Sequence, residues 1–144
     1  MQVSHKARNT NIRIVSYLHI LLFMYAATNK ILDYENFQAQ LGQSPLLSPF
    51  TWIVAPMVPA TEIVISALLS FRKTRRVGLF LSYALMVMFT AYIFIILNYS
   101  SFVPCSCGGI LEKMTWTEHL YFNLFFVLLS AIALLLQVIP EKNE

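Results

Sequence analysis

Both cysteines of this 144-residue chain stand one residue apart, in Val103-Pro104-Cys105-Ser106-Cys107-Gly108-Gly109. The thiolate is the reactive form of cysteine, so thiol chemistry depends on ionisation and access. A Cys-x-Cys pair in a Pro- and Gly-bearing turn, held at a membrane surface, is a candidate for thiol–disulfide exchange. A disulfide needs its two Cα atoms about 4.4–6.8 Å apart. Residues i and i+2 of an extended chain lie near or beyond the upper end of that range, so the chain must turn at Ser106 for the bond to close. So small a ring is strained, and strained disulfides are more oxidising and more labile. Gly108-Gly109 supplies backbone freedom for the turn, while Pro104 removes a donor and stiffens the approach. Three other readings stand beside this one: an inert structural disulfide, two idle thiols, or metal ligands together with His119 or Met114. A structural zinc site usually spaces its cysteines two to four apart and takes four ligands, which fits poorly. A soft Cu(I) site stays open, and no metal is assigned.

Other polar residues could support such chemistry. His119 and Lys30 fall on the same side of the chain as the cysteines. Either cation could lower a thiol pKa, and His119 could shuttle the proton. The plainer reading is that both anchor helix ends by snorkelling. Glu62 lies inside an apolar run, where a carboxyl is costly and marks a functional site with a partner. It is ten residues from Arg72, about 15 Å along a helix. His19 is six residues from Arg13, about 9 Å by the same rise, so Glu62 and His19 could approach one another. Their face could hold a quinone or relay protons. A protonated Glu62 bonded to a neighbouring hydroxyl or carbonyl, with no catalytic task, is the alternative. Asn98 and Asn123 read as interhelical hydrogen-bond residues. Trp52, Tyr99, Trp116 and Tyr121 read as interface aromatics with no assigned binding role.

The elements that position these residues are membrane helices. The chain is 58% hydrophobic and only 12% charged, whereas a soluble domain carries about a quarter charged residues. The apolar residues come in runs of about twenty, the length that crosses a bilayer. The reading is an all-α, four-transmembrane-helix bundle in one integral membrane domain, with helices over about 12–32, 49–71, 77–98 and 118–139. The net charge of +3 then reflects topology and is no nucleic-acid signal. Between the first two spans, Phe37 and Leu41 lie four apart, which predicts a short amphipathic helix at the interface, ended by Gly42 and Pro45. Pro49 suits a helix start, and Pro56 and Pro59 should kink the second span, which membrane helices tolerate.

Orientation follows from the basic residues. Lys6, Arg8, Arg13, Arg72, Lys73, Arg75, Arg76 and Lys142 fall on one side, and only Lys30 and Lys113 on the other. Both termini are therefore expected in the cytoplasm. The cysteine loop is expected outside, in a bacterium on the periplasmic side of the inner membrane, where disulfides form and persist.

Ala27-Thr28-Asn29-Lys30 at the end of the first span, then Phe37 and Leu41, then a proline-bearing span with Glu62, resemble the DoxX-like membrane proteins. Cys105-Ser106-Cys107-Gly108-Gly109 before the last span resembles the MauE branch, named for methylamine utilisation. The resemblance runs from about Ile14 to Leu136. It implies a four-helix membrane bundle linked to thiol–disulfide exchange outside the cytoplasm. MauE is associated with maturation of a disulfide-rich enzyme subunit alongside a thioredoxin-like partner. The methylamine context itself is not carried over.

The expectation is a multi-pass membrane protein whose Cys105/Cys107 pair exchanges electrons with a periplasmic thioredoxin-like or disulfide-containing protein, with quinone as a further electron carrier. The second expectation is a small structural subunit of a larger membrane complex, its cysteine pair a staple. Transport is weaker, because no pair of broken helices is visible.

Overall fold

The structure is a computed structural model and describes residues 5–43, 48–99 and 116–138. Five α-helices follow one another: α1 His5–Leu32, α2 Tyr34–Gln43, α3 Thr51–Ser70, α4 Arg75–Tyr99 and α5 Trp116–Val138, with a 3₁₀ turn at Ser48–Phe50 leading into α3. Among the described residues, four helices (α1, α3, α4 and α5) are long and apolar enough to cross a membrane. The 28 residues of α1 make a rod of about 42 Å, longer than the roughly 30 Å hydrocarbon layer. The helix therefore extends beyond the apolar stretch at its basic N-terminal end. Pro56 and Pro59 both lie inside α3, which continues through them to Ser70.

Large apolar side chains point outward, among them Leu21, Trp52, Met88, Leu128 and Leu135. The buried seam combines a hydrophobic cluster that includes Phe23, Ile65, Leu69, Leu79, Met86 and Phe126 with the polar residues Ser16, His19, Glu62, Ser66, Ser82, Asn123 and Ser130. Lipid is as apolar as leucine, so nothing drives large hydrophobes inward; close packing and hydrogen bonds hold the helices together instead. The buried positions of α1, from Ile12 through Val15, Ser16, His19, Phe23, Ala26 and Ala27, recur every three or four residues, which puts them on one face. The seam hydroxyls close on their own helices. Ser16 donates to the Ile12 carbonyl at 2.8 Å, Ser66 to Glu62 at 2.9 Å, Ser82 to Gly78 at 2.8 Å and Ser130 to Phe126 at 3.0 Å. This meets the requirement that polar groups in lipid be satisfied internally.

Around the bundle α1 packs on α3 and α5, and α4 packs on the same two. Asp33 alone separates α1 from α2; its N–H bonds the Asn29 carbonyl at 3.1 Å and its carboxylate accepts from Asn36. Phe37 and Leu41 of α2 are buried against Ala55 of α3, with Val54 and Val58 packed alongside. The apolar face that the sequence assigns to the membrane interface is thus covered by α3. The helix also runs through Gly42 to Gln43; Pro45 lies outside the described residues.

The turn between α3 and α4 is tied to the end of α3. Thr74 Oγ1 donates to the Leu68 carbonyl at 2.7 Å and Arg75 Nε to that of Leu69 at 3.3 Å, satisfying carbonyls left open at a helix C-terminus. Here α4 comes so close that a Cβ on Gly78 would lie 3.0 Å from the backbone nitrogen of Leu69 and from its Cδ2. Backbone cannot move aside as a flexible side chain does. Gly78→Val should therefore destabilise the bundle by about 1–3 kcal/mol, the usual cost of overpacking. Gly42→Ala, whose new Cβ would meet only Thr51 Oγ1 at 3.9 Å, should leave stability within about 0.5 kcal/mol of the parent. Unfolding midpoints in an SDS titration of the purified protein compare the two; equal midpoints would refute the close-approach account.

Candidate functional site

Of the buried polar residues, Glu62 and Asn123 line one cavity together with Lys30 and His119. Lys30 sits in the last turn of α1, where a cation complements the carbonyl end of the helix dipole. Glu62 lies eleven residues into α3 from Thr51, and it is completely buried. Lys30 Nζ donates to Glu62 Oε1 at 2.5 Å, with the Lys30 side chain 14% exposed and that of Glu62 0%. The ammonium is further enclosed by two rings, its Nζ lying 5.9 Å from the centroid of Phe37 on α2 and 5.7 Å from that of Phe89 on α4. Such placement over ring faces is attractive for a desolvated cation. Three helices thus converge on one charge.

This ion pair forms the polar end of a cavity of about 320 Å³. Its apolar wall comes from all five helices and includes Phe23, Phe37, Val58, Phe89 and Phe122. His119, in the first turn of α5, and Asn123, one turn later and buried, also line it. The segment of residues 100–115, which carries Cys105 and Cys107, joins the end of α4 at Tyr99 to the start of α5 at Trp116. It therefore leaves the bundle at the end where Lys30 and His119 lie. The two cysteines, together with Met114, fall outside the described residues.

The structure brings Lys30, Glu62 and His119 to one cavity and sets His19 elsewhere. Glu62 meets Lys30, and His19 stands eleven residues earlier on α1, about 16 Å away along the axis. The Glu62–His19 approach expected from depth along the chain is replaced by a Glu62–Lys30 pair. His19 is itself fully buried. Its Nδ1 donates to the Val15 carbonyl at 2.9 Å, and its ring meets Phe126 edge-on at 5.2 Å and Phe23 at 5.9 Å. That is a packed histidine between α1 and α5. Lys30, for its part, is no lone helix-end cation; its charge is matched.

Asn98 donates to the carbonyl of Phe94 on its own helix at 2.9 Å and is exposed, so it does not bridge helices. Trp52 and Tyr121 are exposed, at 72% and 67%. The sequence reading missed the ion pair, the two rings around Lys30 and the place of Asn123 in the cavity. One signal for the pair was present. A carboxyl within a membrane span calls for a partner, and Lys30 is the cation in the last turn of α1, although Glu62 itself lies eight residues, about 12 Å, from the end of α3 at Ser70.

A buried carboxylate and ammonium in contact can hold a proton at either atom, orient a hydrogen-bonding ligand, or lock two helices together. Comparison with curated proteins and with solved structures finds no match. The family model described as methylamine utilisation protein MauE matches residues 8–136. That match takes in α1 almost entirely, all of α2 to α4, the cysteine segment and most of α5, and the chain belongs to the MauE family.

Proposed function

We propose that this membrane protein carries out thiol–disulfide exchange through Cys105 and Cys107 on the outer side of a bacterial inner membrane, with both termini in the cytoplasm. The partner is a periplasmic thioredoxin-like or disulfide-containing protein. In the oxidising direction a partner thiolate attacks one sulfur of the Cys105–Cys107 disulfide and forms a mixed disulfide. The partner's second thiolate then attacks that bond. The partner leaves with a disulfide, and Cys105 and Cys107 remain as two thiols, two electrons and two protons richer. The reverse sequence reduces the partner.

One observation carries this reading. The cysteine segment springs from the end of the bundle where Lys30, His119 and Asn123 turn inward. The opposite end holds Arg72, Lys73, Arg75 and Arg76, as the positive-inside rule demands of a cytoplasmic side. Membership of the MauE family agrees with it.

The test is thiol trapping on intact cells with a membrane-impermeant alkylating reagent across a dithiothreitol series. The expected result is a disulfide that reduces readily, with a potential well above about −300 mV, and thiols that the reagent reaches from outside. Thiols reached only after the membrane is broken would overturn the orientation. A disulfide that resists reduction would overturn the exchange role and make the chain a stapled structural subunit.

A further inference from the structure

The cavity beside the ion pair holds an unmet hydrogen-bond acceptor among the described residues. Oε1 of Glu62 takes the Lys30 ammonium. Oε2 of the same carboxylate is equally buried and has no hydrogen-bond partner among the described residues. A carboxylate oxygen can only accept, and a buried acceptor without a donor is costly. The space around it is apolar and aromatic. Met88 also lines the cavity and is 66% exposed on α4. An exposed apolar side chain on a membrane-spanning helix faces acyl chains, so the cavity reaches the lipid side there.

The charges select the ligand. An anion would compete with Glu62 for Lys30 and meet Oε2 as a like charge. A cation would approach an ammonium already seated on the same carboxylate. A neutral hydrogen-bond donor meets neither penalty and supplies what Oε2 lacks. We infer that the cavity is a binding site for a neutral lipophile bearing a hydroxyl, whose O–H donates to Glu62 Oε2 and whose apolar body runs past Phe37, Phe89 and Phe122 toward Met88. The site is independent of the cysteine pair and stands or falls without it. Two sources share this chemistry: a bilayer lipid with a free alcohol, and an alkylated phenol or hydroquinone.

The experiment uses the purified full chain in detergent with three probes: 4-decylphenol, monoolein and decylbenzene. Affinities come from the rise of the unfolding temperature with probe concentration. Decylphenol and decylbenzene share a body and differ by one hydroxyl. A hydrogen bond to a charged group should favour decylphenol by about tenfold or more. In the variant combining Lys30→Met with Glu62→Leu that advantage should vanish while decylbenzene still binds. Val58→Phe, which fills the cavity and leaves both charged residues in place, should weaken all three probes. Tighter binding of monoolein than of decylphenol supports the site and assigns it to a bilayer lipid; the opposite order supports it and assigns it to a phenol. Equal binding of decylphenol and decylbenzene to the parent protein would overturn the inference. So would an unchanged hydroxyl preference in the double variant. If the double variant does not fold, the parent comparison and Val58→Phe decide.

Discussion

Lys30→Met alone, or Glu62→Leu alone, should destabilise the bundle by about 3–5 kcal/mol, and the two together should restore most of that loss. Each single change leaves one charge buried without its partner, in a place where Glu62 has no exposed surface and Lys30 only 14%. The uncompensated group must then neutralise or draw in water, and either costs what the pair now avoids. Removing both charges replaces the pair with apolar side chains of similar length in an apolar cavity, a change that is often neutral or stabilising. A double-mutant cycle on SDS unfolding midpoints isolates the coupling, because the two residues touch and their effects cannot add. Phe37 and Phe89 give the cycle a direction. The ammonium they enclose is worth most where it is driest, so Lys30→Met should cost at least as much as Glu62→Leu. Single variants as stable as the parent would mean that the pair is not buried as the structure has it.

Replacing either Cys105 or Cys107 with serine should abolish disulfide transfer to the partner, down to the level of a chain lacking both. Exchange proceeds by attack of a thiolate on a disulfide through a mixed-disulfide intermediate. With one cysteine gone, no internal disulfide forms and the intermediate cannot be resolved from within. With a partner in its disulfide form, the attacking cysteine left alone displaces one partner sulfur as a thiolate and stays bound to the other, so one of the two single variants should accumulate a covalent complex, seen as a band of higher mass that dithiothreitol dissolves. The other should show none, and the difference names the attacking sulfur. Full partner maturation in the variant lacking both cysteines would sink the redox reading.

Much of the fold was legible because each span is a run of apolar residues long enough to cross a bilayer, and lipid leaves only helices or closed barrels as spanning structures. The inward face was legible through its exceptions. Ser16, His19, Glu62, Ser66, Ser82, Asn123 and Ser130 interrupt apolar runs, and all seven are buried. Asn98 departs from that pattern because it sits at the end of α4, exposed, where its own helix offers the Phe94 carbonyl. The short helix after the first span was legible from Phe37 and Leu41, but what covers it was not. An amphipathic face reads alike whether lipid or protein takes it up, and here Ala55, Val54 and Val58 do.

Four spans, the asymmetry of basic residues and the Cys-x-Cys-Gly-Gly segment were legible along the chain. All of these are local: they depend on residue type, run length and spacing along one stretch of chain. That Lys30 pairs with Glu62, 32 residues away, and His19 does not, comes from how the helices pack. That choice depends on the axial register and the rotation of α1 against α3. Packing between helices sets both: α1 lies directly on α3, and α2, one residue beyond α1, folds onto α3 as well. The cavity with its open carboxylate oxygen is a product of the same register, because it exists only once all five helices are in place.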